Sequence, residues 1–127
     1  MARRRRKYTI EEANALVPEV RAVLLQIAVE QRRLEEAVRQ RDLADGNGRP
    51  ADPARVTQDI DAIAEGIRAL LAHLETLGIQ LRDPRIGLVD FPGERDGRPV
   101  WLCWRLSDPA VAHWHATDEG FASRRPW

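Results

Sequence analysis

Apolar residues follow two different spacings along this chain. In its first part they recur at heptad intervals. Ala13, Val20, Ile27 and Leu34 stand seven apart, and Val17, Leu24, Gln31 and Val38 stand seven apart between them. Such a period marks a helix that buries one stripe. Thr9 and Glu12 fit a capping box ahead of it, which predicts a first helix over 8–44. Pro18 removes a ladder bond and crowds the preceding turn, so a kink or break is expected near Leu16. The segment "DLADGNGRPADP" holds Gly46, Gly48 and two prolines and reads as a loop. Asp52 then caps a second helix with Pro53 at its first position. Val56, Ile60, Ile63, Ile67, Leu70, Leu74 and Leu77 carry that helix to a stop at Gly78, giving 52–78.

Folded about Asn47, the two stripes face each other. Val17 meets Leu77, Val20 meets Leu74, Leu24 meets Leu70 and Ile27 meets Ile67, with Leu34 on Ile60 and Val38 on Val56 beyond them. Steps of four and three suit antiparallel, coiled-coil-like packing. Gln31, opposite Ile63, is a polar interruption that can fix register or partner choice. At a rise of about 1.5 Å per residue the hairpin is about 40 Å long. Each helix still has a flank to cover, which calls on the C-terminal third of the chain, on a second copy, or on both.

After Gly78 the period shortens to two. "IGLVDFPGERDGRPVWLCWRLS" predicts a β-hairpin over 86–106 about the Asp96–Gly97 turn. This turn sets Phe91 opposite Leu102 and Val89 opposite Trp104 on an apolar face directed at the helices. The other face carries Leu88, Asp90, Trp101, Cys103 and Arg105, with Asp90 across from Cys103 and Arg105 diagonal to Asp90. For 107–127, Ser107 or Asp108 followed by Pro109 suggests a short capped helix ending by Gly120, then a C-terminal arm. The fold expected is α+β and mostly α. It has a basic, disordered tail over 1–7 and a single domain over 8–127.

Composition narrows the function. With 20 basic and 20 acidic residues the net charge is zero, which argues against nucleic acid as a partner despite the run Arg3 to Lys7. No apolar run approaches the roughly 20 residues of a membrane span. The opening residues lack the apolar core of a secretory signal. One cysteine forms no internal disulfide and fits a reducing cytoplasm.

Three of the four tryptophans, the single cysteine and two of the three histidines fall between 101 and 121. His115 and Asp118 share a face if that segment is helical. His113 joins His115 on one side only if it is extended. Asp90 and Cys103 supply further donors from the β-hairpin. Imidazole, thiolate and carboxylate together suit zinc or iron, and Arg105 could steer an anion. The structural alternative has His115 bonded to Asp118, Asp90 paired with Arg105 and Cys103 as an apolar filler.

"YTIEEANALVPEVR", "GLVDFPGERDGRPVWLCWR" and "WHATDEGFASRRP" resemble a small prokaryotic family catalogued as domain of unknown function 2203. The resemblance covers nearly the whole chain. Its C-terminal pattern, W-H-x-x-D-x-G-F-A-G-R, is matched at His115, Asp118, Gly120, Phe121 and Arg124, with Ser123 in place of the second glycine; His113 lies outside it. The resemblance implies a cytoplasmic bacterial or archaeal protein and brings no activity or cofactor. The leading expectation is an interaction or scaffold module, a homodimer or the holder of another protein. The alternative is a metal-binding protein or small metal-dependent enzyme using His115, Asp118, Asp90 and Cys103.

Overall fold

The computed structural model describes residues 6–47 and 52–127; the Arg3–Arg5 run and the centre of the inter-helix loop lie outside them. Two helices, α1 (Ile10–Asn47) and α2 (Pro53–Thr76), form an antiparallel hairpin on one face of a five-stranded antiparallel sheet. The strands are β1 (Gln80–Asp83), β2 (Leu88–Arg95), β3 (Arg98–Trp104), β4 (His113–Ala116) and β5 (Arg125–Pro126), ordered in space as in sequence.

The helix signals act as their chemistry requires. Thr9 Oγ1 accepts from the Glu12 N–H at 3.1 Å, and Glu12 Oε1 accepts from the Thr9 N–H at 3.0 Å. Asp52 Oδ1 accepts from the N–H groups of Ala54 and Arg55, ahead of which Pro53 donates nothing. At the far end the Ile79 N–H reaches Leu74 O and the Gly78 N–H reaches Glu75 O, a complete Schellman closure. Pro18 does not break α1, which is continuous through it.

Burial divides the hairpin along its length. Ala13, Val17, Val20, Leu24, Ile27 and Leu74 are buried together with Val89, Phe91, Val100, Leu102 and Trp104 of the sheet. Farther out, Leu34, Val38, Val56 and Ile60 are only half-buried. The sheet thus finishes the core at the open end of the hairpin, and the loop end has only its own seam.

In the β-hairpin, Asp96 and Gly97 have φ of 53° and 78°, as a two-residue I′ turn requires. The register follows: Phe91 pairs with Leu102, Val89 with Trp104 and Asp90 with Cys103.

Gln80–Asp83, for which no element was expected, form β1, so the sheet has a strand before the β-hairpin. The expected terminal helix is absent. Residues 113–116 instead form β4 on the free edge of β3, a 3₁₀ turn follows at Phe121–Ser123, and β5 pairs with β4. The unpaired N–H and C=O groups along β3 offer a ladder that a short, Pro-led helix cannot match.

Candidate metal centre

The outer face of the sheet, away from the helices, carries the chemistry. Asp90 on β2 and Cys103 on β3 are direct partners, so their side chains share that face. Trp101 pairs with His115 and Cys103 with His113, which puts both histidines of β4 there too. His115 reaches back across β3. Its Nε2 lies 3.1 and 3.0 Å from the two Asp90 carboxylate oxygens. Asp90, Cys103 and His115 each present one donor atom, and these atoms all lie within 4.8 Å of one another. Asp90 and His115 are 2% exposed and Cys103 is 0% exposed.

Protonation of the imidazole follows from its neighbours. Nδ1 lies 2.9 Å from Ala116 O, which can only accept, so Nδ1 carries a proton. The carboxylate of Asp90 already accepts from Arg82 Nε at 3.0 Å. His115 Nε2 therefore meets Asp90 as a second N–H of an imidazolium, or as a lone pair that accepts from a protonated carboxyl or shares a cation with the carboxylate. An imidazole whose Nδ1–H is tied to a backbone carbonyl while Nε2 faces other donors is the usual arrangement of a metal-ligating histidine.

The surroundings of Cys103 disfavour its thiolate. Burial, and then the charge of Asp90, push its thiol up to about 11, against a smaller opposing effect from the Arg124 guanidinium beside it. A bound dication would counter the Asp90 charge and outweigh the penalty of burial.

The surrounding ionic frame differs from the one expected. Arg105 does not pair with Asp90. It turns toward Asp108, with Nε 3.6 Å from Oδ1, and lies 5.0 Å over the ring of Phe121. Arg124 also lies over that ring, at 4.6 Å, and forks onto Asp108 at 2.7 and 3.3 Å. Burial alone would raise the Asp108 carboxyl. The Arg124 hydrogen bond, the Arg105 N–H and both guanidinium charges outweigh it and hold the group below its ordinary range.

Of the candidates from sequence, the fold brings together Asp90, Cys103 and His115. Asp118 stands apart, exposed in the turn after β4. Its helical alignment with His115 disappears because the segment is a strand. Glu119, one residue on, makes the bonds there, to the Ala116 N–H and to Arg125. Arg82 was missed, because β1 was; its alternation with Gln80 was the available signal. Arg124 was recognised only as part of a motif, and its place beside Cys103 depends on the 3₁₀ turn.

Fold and site together define an α+β protein in which a helical hairpin backs a five-stranded antiparallel meander with a buried Asp–Cys–His cluster on the outer face. The chain belongs to the family described as "Uncharacterized conserved protein (DUF2203)", whose model matches residues 6–127. No curated protein and no solved structure matches it. No helix among the described residues is long and apolar enough to cross a membrane.

Proposed function

We propose that this is a metal-binding protein, holding one transition-metal ion between Asp90, Cys103 and His115, with zinc the best chemical match. The observation that carries the reading is the convergence of three different donor types on one buried point. Metal–ligand bonds of roughly 2.0–2.1 Å place tetrahedral N and O ligands about 3.3 Å apart. The His115–Asp90 separations of 3.0 and 3.1 Å need open only slightly. Thiolate and carboxylate together neutralise a dication, and the mixed donor set suits zinc before magnesium or calcium. Burial of all three supports a closed centre that staples β2, β3 and β4. His113 pairs with Cys103 on the same face, and its Nδ1 is buried without a hydrogen bond among the described residues, but it is not one of the three converging donors.

Elemental analysis of tag-free protein tests this, beside folded Cys103→Ser and His115→Ala variants. About one zinc or iron per chain, lost in both variants, is the expected result. Cobalt exchanged into the site should show thiolate charge-transfer absorption that Cys103→Ser removes. Failure to retain or take up zinc, iron or cobalt would leave a metal-free His115–Asp90 pair and refute the proposal.

A second reading, an interaction module that pairs with a second copy, draws on the loop half of the hairpin. Val29 and Leu43 are each about half exposed there, beside the half-buried seam of Leu34 and Val38. A single monomeric species across micromolar concentrations in sedimentation would refute it.

A further inference from the structure

Next to the cluster, on the same face of the sheet, is a cavity of about 310 Å³. Gln80 of β1, Pro92 of β2 and Trp101 of β3 line it, with Gly78, Arg6 and Arg82 completing the wall. Its position follows from the pairings already described. Gln80 is the partner of Asp90, and Pro92 is the partner of Trp101. The segment before α1 is pinned at its edge, since the Tyr8 N–H donates to Pro92 O at 2.7 Å and the Tyr8 hydroxyl donates to Leu77 O at 2.6 Å.

The lining has a definite chemistry. It holds two guanidinium groups and, among the described residues, no carboxylate. Arg82 is held from two sides. Its Nε is bonded to Asp90, and its guanidinium lies 5.0 Å over the ring of Trp101. The Nη groups make no hydrogen bond among the described residues. Such a guanidinium is already oriented, and its remaining N–H groups match the two oxygens of a carboxylate or phosphate. Beside it are the indole of Trp101, the apolar ring of Pro92 and one side-chain amide, Gln80. The volume is at the low end of small-molecule sites, roughly 300–1,000 Å³.

We infer that this cavity binds a small oxyanion carried on a single flat ring, an aryl or heteroaryl carboxylate or phosphate, with Arg82 and Arg6 on the oxyanion and the ring against Trp101 and Pro92. The inference does not rest on the metal reading, because every group it uses is placed without a metal.

Calorimetric titration with four probes tests it, in metal-free and in zinc-treated protein: benzoate, phenyl phosphate, benzamide and inorganic phosphate. Benzoate or phenyl phosphate should bind, and the better of them identifies the headgroup. Benzamide should bind about tenfold more weakly or less, since a charge-assisted pair becomes a neutral one. Inorganic phosphate should bind more weakly than phenyl phosphate. Arg82→Gln and Arg6→Gln should each weaken the aryl anion about tenfold. If Arg82→Gln loosens the fold through Asp90, Arg6→Gln carries the test, because Arg6 precedes the first helix. Benzamide binding as well as benzoate, unaltered affinity in a folded Arg6→Gln variant, inorganic phosphate equal to phenyl phosphate, or no binding by either aryl anion would overturn the inference. None of these outcomes bears on whether Asp90, Cys103 and His115 hold a metal.

Discussion

Removing the Asp90 carboxylate probes the outer face most directly. In the metal-free protein this group accepts from Arg82 Nε and faces His115 Nε2 with both oxygens, while 2% exposed. Breaking a buried ionic pair by deleting one partner costs about 3–5 kcal/mol, mostly from the charge left behind. Two features lower that figure here. The Arg82 side chain is 42% exposed and returns to water on losing its partner. The His115 imidazole keeps its Nδ1 bond to Ala116 O. An expected loss of about 2–4 kcal/mol for Asp90→Ala remains. At roughly 3–5 °C per kcal/mol for a chain of this size, melting falls by about 6–20 °C. Asp90→Asn should cost less, because its amide can donate to the neutral Nε2. Urea titration with a chelator present measures the first term. Repeating it with zinc at about 100 times its dissociation constant should add about 2.7 kcal/mol to the wild type and nothing to Asp90→Ala. A loss below about 1 kcal/mol for Asp90→Ala in chelator would refute the reasoning about the buried pair. An equal zinc increment in both proteins would remove Asp90 from the metal centre.

Two further outcomes test the frame around the site. Gly87 has φ of +63°, and a Cβ there would lie 2.4 Å from Leu106 Cγ; Gly87→Ala should cost about 2–4 kcal/mol by denaturant titration, from left-handed strain plus overpacking, and a change under about 0.5 kcal/mol would contradict it. The Asp108 carboxyl, held low chiefly by Arg124 against the penalty of burial, contributes stability that is fully present above the ordinary carboxylate range and lost as pH falls through its depressed folded value. Asp108→Asn should therefore be destabilised relative to wild type at neutral pH, with the gap closing on acidification; a gap that widens as pH falls would show the sign to be wrong.

How much of the site was legible can be judged residue by residue. Asp90 opposite Cys103 follows from a single local feature, the Asp96–Gly97 turn, because a two-residue hairpin admits one register and a strand alternates its faces. His115 was visible as a residue type but not as a neighbour of Asp90. Its assignment to a helix with Asp118 came from the cap-like Ser107–Pro109 stretch, a local signal. Yet Trp114 toward the core and His115 away from it is a period of two, and that alternation was present in the sequence.

The sequence by itself determined the elements whose stabilising contacts are near in the chain. These are the capping box at Thr9, the Asp52–Pro53 start of α2, the helical stripes and the β2–β3 register. Each depends on groups a few residues apart or on a strict period, so no distant partner is needed to decide it. Tertiary structure alone decided the rest. β1 and β4 are four residues each, too short to hold a conformation without a neighbour's edge. That edge is supplied by the β-hairpin, β1 pairing with β2 and β4 with β3. Through these pairings β4 brings His115 across β3 to Asp90, and β1 brings Arg82 to the same carboxylate. Asp90, Cys103 and His115 come from three strands, and their convergence is a property of the sheet that no single segment carries.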